Sequence, residues 1–553
     1  MTLLRFAVPC ALLIAASPVA AQPALSDSIR VAINRVFAPW TSTTGPGCAV
    51  GVSRNGRVIF ENGYGMANLE HDIPITPTSI FHVASVSKQF TAAAIMLLVR
   101  DGKLSLDDDV RSHVPEVPAY PQPITIRHLL QHTSGLRDQW DLLYMARGRF
   151  EEDRITEDDV LEIVSRQRAL NFEPGTEYLY SNTGYTLAGT IVRRVSGKSL
   201  REFADERIFK PLGMTRTHFH DDYTMIVKDR AAGYAPRPGG WRVSLPNYDT
   251  YGATSLFTTV GDLLKWQANV DQPMVGDAAM LAEMQTSGVL TNGDSTGYGF
   301  GIATTTYRGA RMVGHAGADA GYRTYLGRFP EHGLSITVLC NASTANPVAL
   351  AQDVADVILG DALAPAPAPV RATVSVSAEQ VAPLAGVYAH PVTGAVAHVT
   401  LRGDGLVLGR ANGPPLVAVG DRRFRPGGSQ AVEFTFDSTG GLIQSFLGWP
   451  PRQPVRLVKE TAPAPSGAAL EAYAGTYYSE ELGATYTVTA ADSMLSLETR
   501  LGDPVTVRPA YGDVFDGGYL LRFTRGRGNR IDGFLMSTGR VRNVRFDRVD
   551  GGR

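Results

Sequence analysis

A chain of 553 residues is too long for one hydrophobic core and implies several domains. With 44% hydrophobic and 19% charged residues, it has the composition of an ordinary globular protein rather than a disordered or fibrous one. The 52 basic and 54 acidic side chains nearly cancel, and no Lys/Arg cluster stands ready to neutralise phosphates, which argues against a nucleic-acid partner.

Met1 to Arg5 form a short positive start. Phe6 to Ala16 follow as an apolar stretch too short to span a bilayer, and Val19-Ala20-Ala21 suit a signal peptidase. Residues 1–21 therefore read as a signal peptide, and the mature protein as periplasmic or secreted, without a membrane span. Ser26 or Asp27 caps a helix with Ile29, Ile33, Val36 and Phe37 on one face. Asn55-Gly56 predicts a hairpin between Ala49 to Ser53 and Val58 to Glu61. A mainly helical middle follows. Strands return at Tyr322 to Phe329 and Ser335 to Leu339, and then a helix from Pro347 to Leu359, with Asn346 as cap and Gly360 as stop. Strands at both ends of a helical middle predict an α+β domain over residues 25–361, built on an antiparallel sheet flanked by helices. Cys10 leaves with the signal. Cys48 and Cys340 read as buried thiols on apolar strands, with pairing in an oxidising compartment as the alternative.

Two Ala/Pro stretches, residues 362–375 and 461–467, read as linkers. The segments they delimit, 376–460 and 468–553, open alike, with Leu384-Ala385-Gly386-Val387-Tyr388 and Tyr473-Ala474-Gly475-Thr476-Tyr477. Short alternating strands follow in each. This predicts a duplication into two all-β, barrel-like domains.

Chemistry concentrates at three short motifs. Ser85-Val86-Ser87-Lys88 precedes an Ala- and Leu-rich helix, and the three-residue spacing puts Ser85 and Lys88 on one face. A serine hydroxyl needs a base, and lysine serves as one only if its pKa falls well below about 10.4. Burial and the helix dipole both push it down. Tyr180-Ser181-Asn182 precedes a helix from about Thr183 to Val195. Its phenol can relay a proton and its amide can orient a lysine or a carbonyl, although Asn182 reads equally as a helix cap. His315-Ala316-Gly317 leads into the late strands, where small residues let a substrate lie against a strand edge.

In this order the three motifs resemble those of the class C β-lactamase, penicillin-binding-protein and esterase group of serine hydrolases. The third motif begins with His in place of Lys, which is similar to the D-aminopeptidase branch. Residues 129–136, 297–301 and 314–321 add to the likeness. The resemblance implies a β-lactamase/DD-peptidase-like fold in the first domain. It also implies Ser85 as the acylated nucleophile, with Lys88 and Tyr180 sharing proton transfer and Asn182 positioning the substrate. The N–H groups of Ser85 and Ala318 would form an oxyanion hole, with His315 and Gly317 along the substrate edge. No cofactor or metal is implied. His218-Phe219-His220 lacks the further ligands zinc requires, and His132 reads as a loop brace. The implied substrates are D-aminoacyl peptides, amides or esters, cell-wall fragments among them. Asp513 or Asp516, in the loop from Tyr511 to Gly518 of the last domain, could hold a substrate ammonium, although the loop reads more readily as an exposed turn. An esterase or a penicillin-binding or β-lactamase-like hydrolase is an alternative with the same machinery. A non-catalytic cell-wall or peptide-binding protein is the alternative of another class.

Overall fold

A computed structural model describes residues 25–149, 152–365, 374–410, 412–427, 432–446, 454–499 and 504–549. The signal-peptide reading, on residues 1–21, lies outside the described residues. Asn55 and Gly56 take φ of 50° and 74°, the left-handed pair that a tight hairpin turn requires, and join the Cys48–Arg54 and Arg57–Tyr64 strands. This hairpin completes a six-stranded antiparallel sheet. Its other strands, Ala303–Tyr307, Ala310–Asp319, Tyr322–Phe329 and Leu334–Cys340, come from the far end of the domain.

Helices cover both faces, so the central strands are apolar without alternation. Asp27–Val36, capped by Ser26, and Pro347–Leu359, capped by Asn346, enclose one core with Ile33, Val50, Ile336 and Val354. The Lys88–Arg100 helix lies in the larger core on the other side and is buried along nearly its whole length. This explains its lack of a polar face. Among the described residues no helix is long and apolar enough to cross a membrane.

Cys48 and Cys340 form a disulfide, which corrects the expectation of two thiols. They sit opposite each other in neighbouring antiparallel strands with Cα atoms 4.0 Å apart. The bond closes a loop of 292 residues and ties the first strand of the domain to its last. Replacing both with serine is expected to lower stability by about 2–4 kcal/mol, read as an earlier thermal transition. An unchanged melting temperature would show that the sheet register alone carries this load.

The two C-terminal segments are closed eight-stranded antiparallel barrels, running from Gly386–Ala389 to Val455–Lys459 and from Gly475–Ser479 to Val544–Val549. They repeat in detail. The Tyr388 phenol donates to Leu384 O and the Tyr477 phenol to Tyr473 O, each at 2.7 Å. The start of the first Ala/Pro stretch is packed rather than free. Leu363 is buried and Ala364 N–H donates to Arg308 O. Residues 366–373 lie outside the described residues.

The last barrel docks on the α+β domain around one buried guanidinium. Arg137, with its side chain 1% exposed, donates to Glu481 Oε2 (2.5 Å), Gln167 Oε1 (2.9 Å) and the backbone carbonyls of Arg542 and Asn543. Asp516 instead ties the two barrels together through His398 (2.8 Å) and Arg410.

Candidate active site

Ser85 lies in a 3-10 turn, Ala84–Ser87, that runs into the Lys88–Arg100 helix, rather than in the helix itself. Residues three apart eclipse in such a turn. Lys88 Nζ therefore stands 3.1 Å from Ser85 Oγ. Ala84 is held at φ 48°, a left-handed conformation that costs a non-glycine residue on the order of 1 kcal/mol. Ser87 pins it, donating to Ala84 O (2.5 Å) and accepting from Leu256 N–H (3.0 Å). Ser85 remains partly exposed between buried neighbours.

Lys88 is fully buried. Besides Ser85 Oγ it meets Asn182 Oδ1 at 2.8 Å and Ala253 O at 2.7 Å. A neutral amine has two N–H bonds and one lone pair. In that state the two carbonyl oxygens take the N–H bonds and the lone pair is free for the serine hydroxyl, whereas the ammonium donates to all three oxygens. Desolvation pulls the ammonium from its ordinary 10.5 to about 7. The charges of Asp319 and Asp138 oppose the fall, and Arg540 adds to it.

Tyr180 hydrogen-bonds to Ser85, and desolvation holds its phenol well above its ordinary pKa of 10.0. Its ring packs on His132, with centroids 4.1 Å apart. Two basic groups face that ring, Lys88 Nζ at 4.8 Å and Arg540 Cζ at 5.0 Å from its centroid.

Asn182 is the first residue of the Asn182–Ser196 helix and does not cap it. Its N–H and its Nδ2 both donate to Asp138 Oδ2, at 2.7 and 2.9 Å, which turns Oδ1 toward Lys88. Asp138 itself caps the Gln139–Arg147 helix and is fully buried. Sequence reasoning missed it, because a cap signal before Gln139-Trp140 looks purely structural.

The Ala310–Asp319 strand pairs with Ala303–Tyr307 only as far as Gly314, and beyond that it packs against the Ser85 turn. Gly317 permits this close approach. A Cβ there would lie 2.3 Å from Val83 O and 3.0 Å from Ala84 Cβ. Ala318, the next residue, is exposed beside the partly exposed Ser85. His315 is buried, donating from Nδ1 to Ala316 O (2.5 Å) and accepting at Nε2 from the Tyr298 phenol (2.9 Å). Burial lowers its pKa to about 3, so it is neutral. The strand end is anchored by Asp319, which accepts from His82 Nε2 (2.8 Å) and from Thr254. Thr254 adjoins Ala253, the acceptor for Lys88. No sequence motif links positions 82, 254 and 319.

His132 is buried against Tyr180, and its Nδ1 accepts from Ser181 N–H, as a brace would. His218 and His220 pack on Phe257. Among the described residues no group of three His, Cys, Asp or Glu side chains could hold a metal. Asp513 is engaged by Arg525 and Tyr473, and Asp516 by His398 and Arg410. The part of the last barrel that reaches the cleft is instead the turn around Arg540.

A hydroxyl 3.1 Å from a buried amine whose pKa falls to about 7, with a protonated phenol beside it and an accessible strand edge opposite, is equipped for acyl transfer. Comparison with known proteins agrees. The chain is 28% identical over 523 residues to a D-aminopeptidase of Gluconobacter oxydans (strain 621H), covering 91% of this chain and 96% of that protein. It is 31% identical over 305 residues to penicillin-binding protein 4* of Bacillus subtilis (strain 168), covering 52% and 66%. The structure of the octameric penicillin-binding protein homologue from Pyrococcus abyssi superposes with a TM-score of 0.55 at 26% identity. That match covers 78% of this chain and 99% of that one. Residues 33–360 match the family described as Beta-lactamase, and the chain belongs to this family of serine hydrolases.

Proposed function

We propose that the chain is an exported acyl-enzyme hydrolase of D-aminoacyl peptides, amides or esters. The observation that carries this reading is Lys88: a buried amine with a pKa of about 7, two carbonyl partners and its third contact on Ser85 Oγ. As Ser85 Oγ attacks the substrate carbonyl, its proton passes to the Lys88 lone pair. The N–H groups of Ser85 and Ala318 donate to the developing oxyanion, where one donor is worth on the order of 3 kcal/mol. Tyr180, whose phenol keeps its proton, hands that proton to the leaving group and takes up the one on Lys88. Water then attacks the acyl-enzyme by the reverse path.

The D-configuration is supported by the likeness to a D-aminopeptidase along 96% of that protein's length. Export is supported by the signal-like residues 1–21 and by the Cys48–Cys340 disulfide, since disulfides persist outside the reducing cytosol. The test is a panel of D- and L-alanine p-nitroanilides, a short-chain ester and nitrocefin, with fluorophosphonate labelling of Ser85. D-alanine p-nitroanilide is expected to be turned over faster than its L-enantiomer, and Ser85 to be labelled. L-preference, or turnover of nitrocefin alone, would overturn the substrate assignment, and an unlabelled Ser85 the mechanism.

A further inference from the structure

Arg540 sits in the turn between the Ile531–Ser537 and Val544–Val549 strands of the last barrel. Its backbone is held tightly. The carbonyl accepts from Asn171 Nδ2 (2.9 Å), and the N–H donates to Asp141 Oδ2 (3.3 Å). Arg542 N–H and Thr538 Oγ1 fasten the turn on either side, to Asn171 and Asp141. The side chain is not held in the same way. The side chain is 44% exposed, its guanidinium donates no hydrogen bond to a described residue, and its 3.8 Å approach to Asp138 Oδ2 is too long for one. Asp138 already accepts from Asn182 twice, and Asp141 is taken up by Thr538 and the turn backbone. Five N–H donors on a pinned, planar cation are therefore left facing the cleft, beside the phenol that contacts Ser85.

A guanidinium fixed by its backbone with its fork unfilled is the chemistry that reads a carboxylate. The third motif supplies no cation, since His315 is neutral and both its ring nitrogens are engaged. Resting on the acyl-enzyme reading above, we propose that Arg540, delivered by the last barrel, binds a carboxylate of the substrate. The enzyme would then select D-aminoacyl compounds that carry negative charge near the scissile bond. This reverses the sign expected from Asp513 and Asp516: the last domain offers the cleft a cation, not an anion.

The carboxylate can belong to the leaving group or to the acyl group, and paired substrates separate the two. On the leaving-group side, D-Ala-D-Ala is compared with D-Ala-D-Ala amide. On the acyl side, N-succinyl-D-alanine p-nitroanilide is compared with its N-acetyl counterpart. One arm is expected to show about a ten- to hundredfold preference in kcat/KM for the carboxylate, the range of a charged hydrogen-bonded pair. Arg540→Met is expected to bring that ratio near one, and Arg540→Lys to keep part of it. Equal rates on both arms in the unaltered protein would overturn the proposal without any variant, as would a preference that survives Arg540→Met. If neither member of any pair is turned over and Ser85 resists fluorophosphonate, the hydrolase reading fails as well. Turnover with equal rates defeats Arg540 alone.

Discussion

Replacing Lys88 with methionine is expected to lower kcat/KM by on the order of 10⁴-fold or more, with Ser85→Ala matching it and the double variant no worse. The proposed function makes this lysine the base, and its three polar contacts are Ser85 Oγ, Asn182 Oδ1 and Ala253 O, all inside the cleft. The same residue sets the pH dependence. Below about 7 the amine carries a proton and has no lone pair for the serine, so kcat/KM should fall about tenfold per pH unit there and level off above. Asp319 and Asp138 face it as anions and Arg540 as a cation. The neutral rings of His132 and His315 and the phenols of Tyr180 and Tyr185 complete its surroundings. Because Arg540 lowers the Lys88 pKa, Arg540→Met should move the acid limb upward, toward higher pH. A pH profile flat between 5 and 9, measured as initial rates on D-alanine p-nitroanilide, would remove Lys88 from the role of base.

The second large effect is expected at the domain junction. Glu481→Ala leaves the Arg137 guanidinium buried without its counter-ion, a change that typically costs about 3–5 kcal/mol. Arg137 also gathers the carbonyls of Arg542 and Asn543, and it directly precedes Asp138. The lesion should therefore loosen the turn carrying Arg540 as well as lower the unfolding temperature. Glu481→Gln, which keeps an acceptor, should lose less. Thermal denaturation of the three proteins by circular dichroism checks this, and an Ala variant that melts with the unaltered protein would show that the barrel does not depend on this pair.

Much of the site is legible because it is local. Ser85 and Lys88 are three residues apart, and Tyr180 and Asn182 flank one helix start, so each pair's geometry follows from backbone periodicity. The Asn55-Gly56 hairpin and the Ser26 and Asn346 caps are legible for the same reason. Other parts are not. Gly317 suggested room for a substrate, and only the approach of Val83 and Ala84 shows what its missing Cβ avoids. Asp138 carries an ordinary cap signal, yet its second oxygen decides which way the Asn182 amide points. The two cysteines lie on apolar strands in either reading, and their pairing depends on which strands become neighbours.

By itself the amino-acid sequence determined the α+β domain followed by two duplicated barrels, and the serine, lysine and tyrosine to which the proposed function gives the roles of nucleophile, base and relay. These are properties of short-range pattern, set by φ preferences, burial periodicity and the spacing of a few side chains. Only the tertiary structure decided the lowered pKa of Lys88, the disulfide, and the approach of Arg540 of the last barrel to the cleft. Desolvation, strand adjacency and domain docking join residues hundreds of positions apart, and no local spacing encodes them.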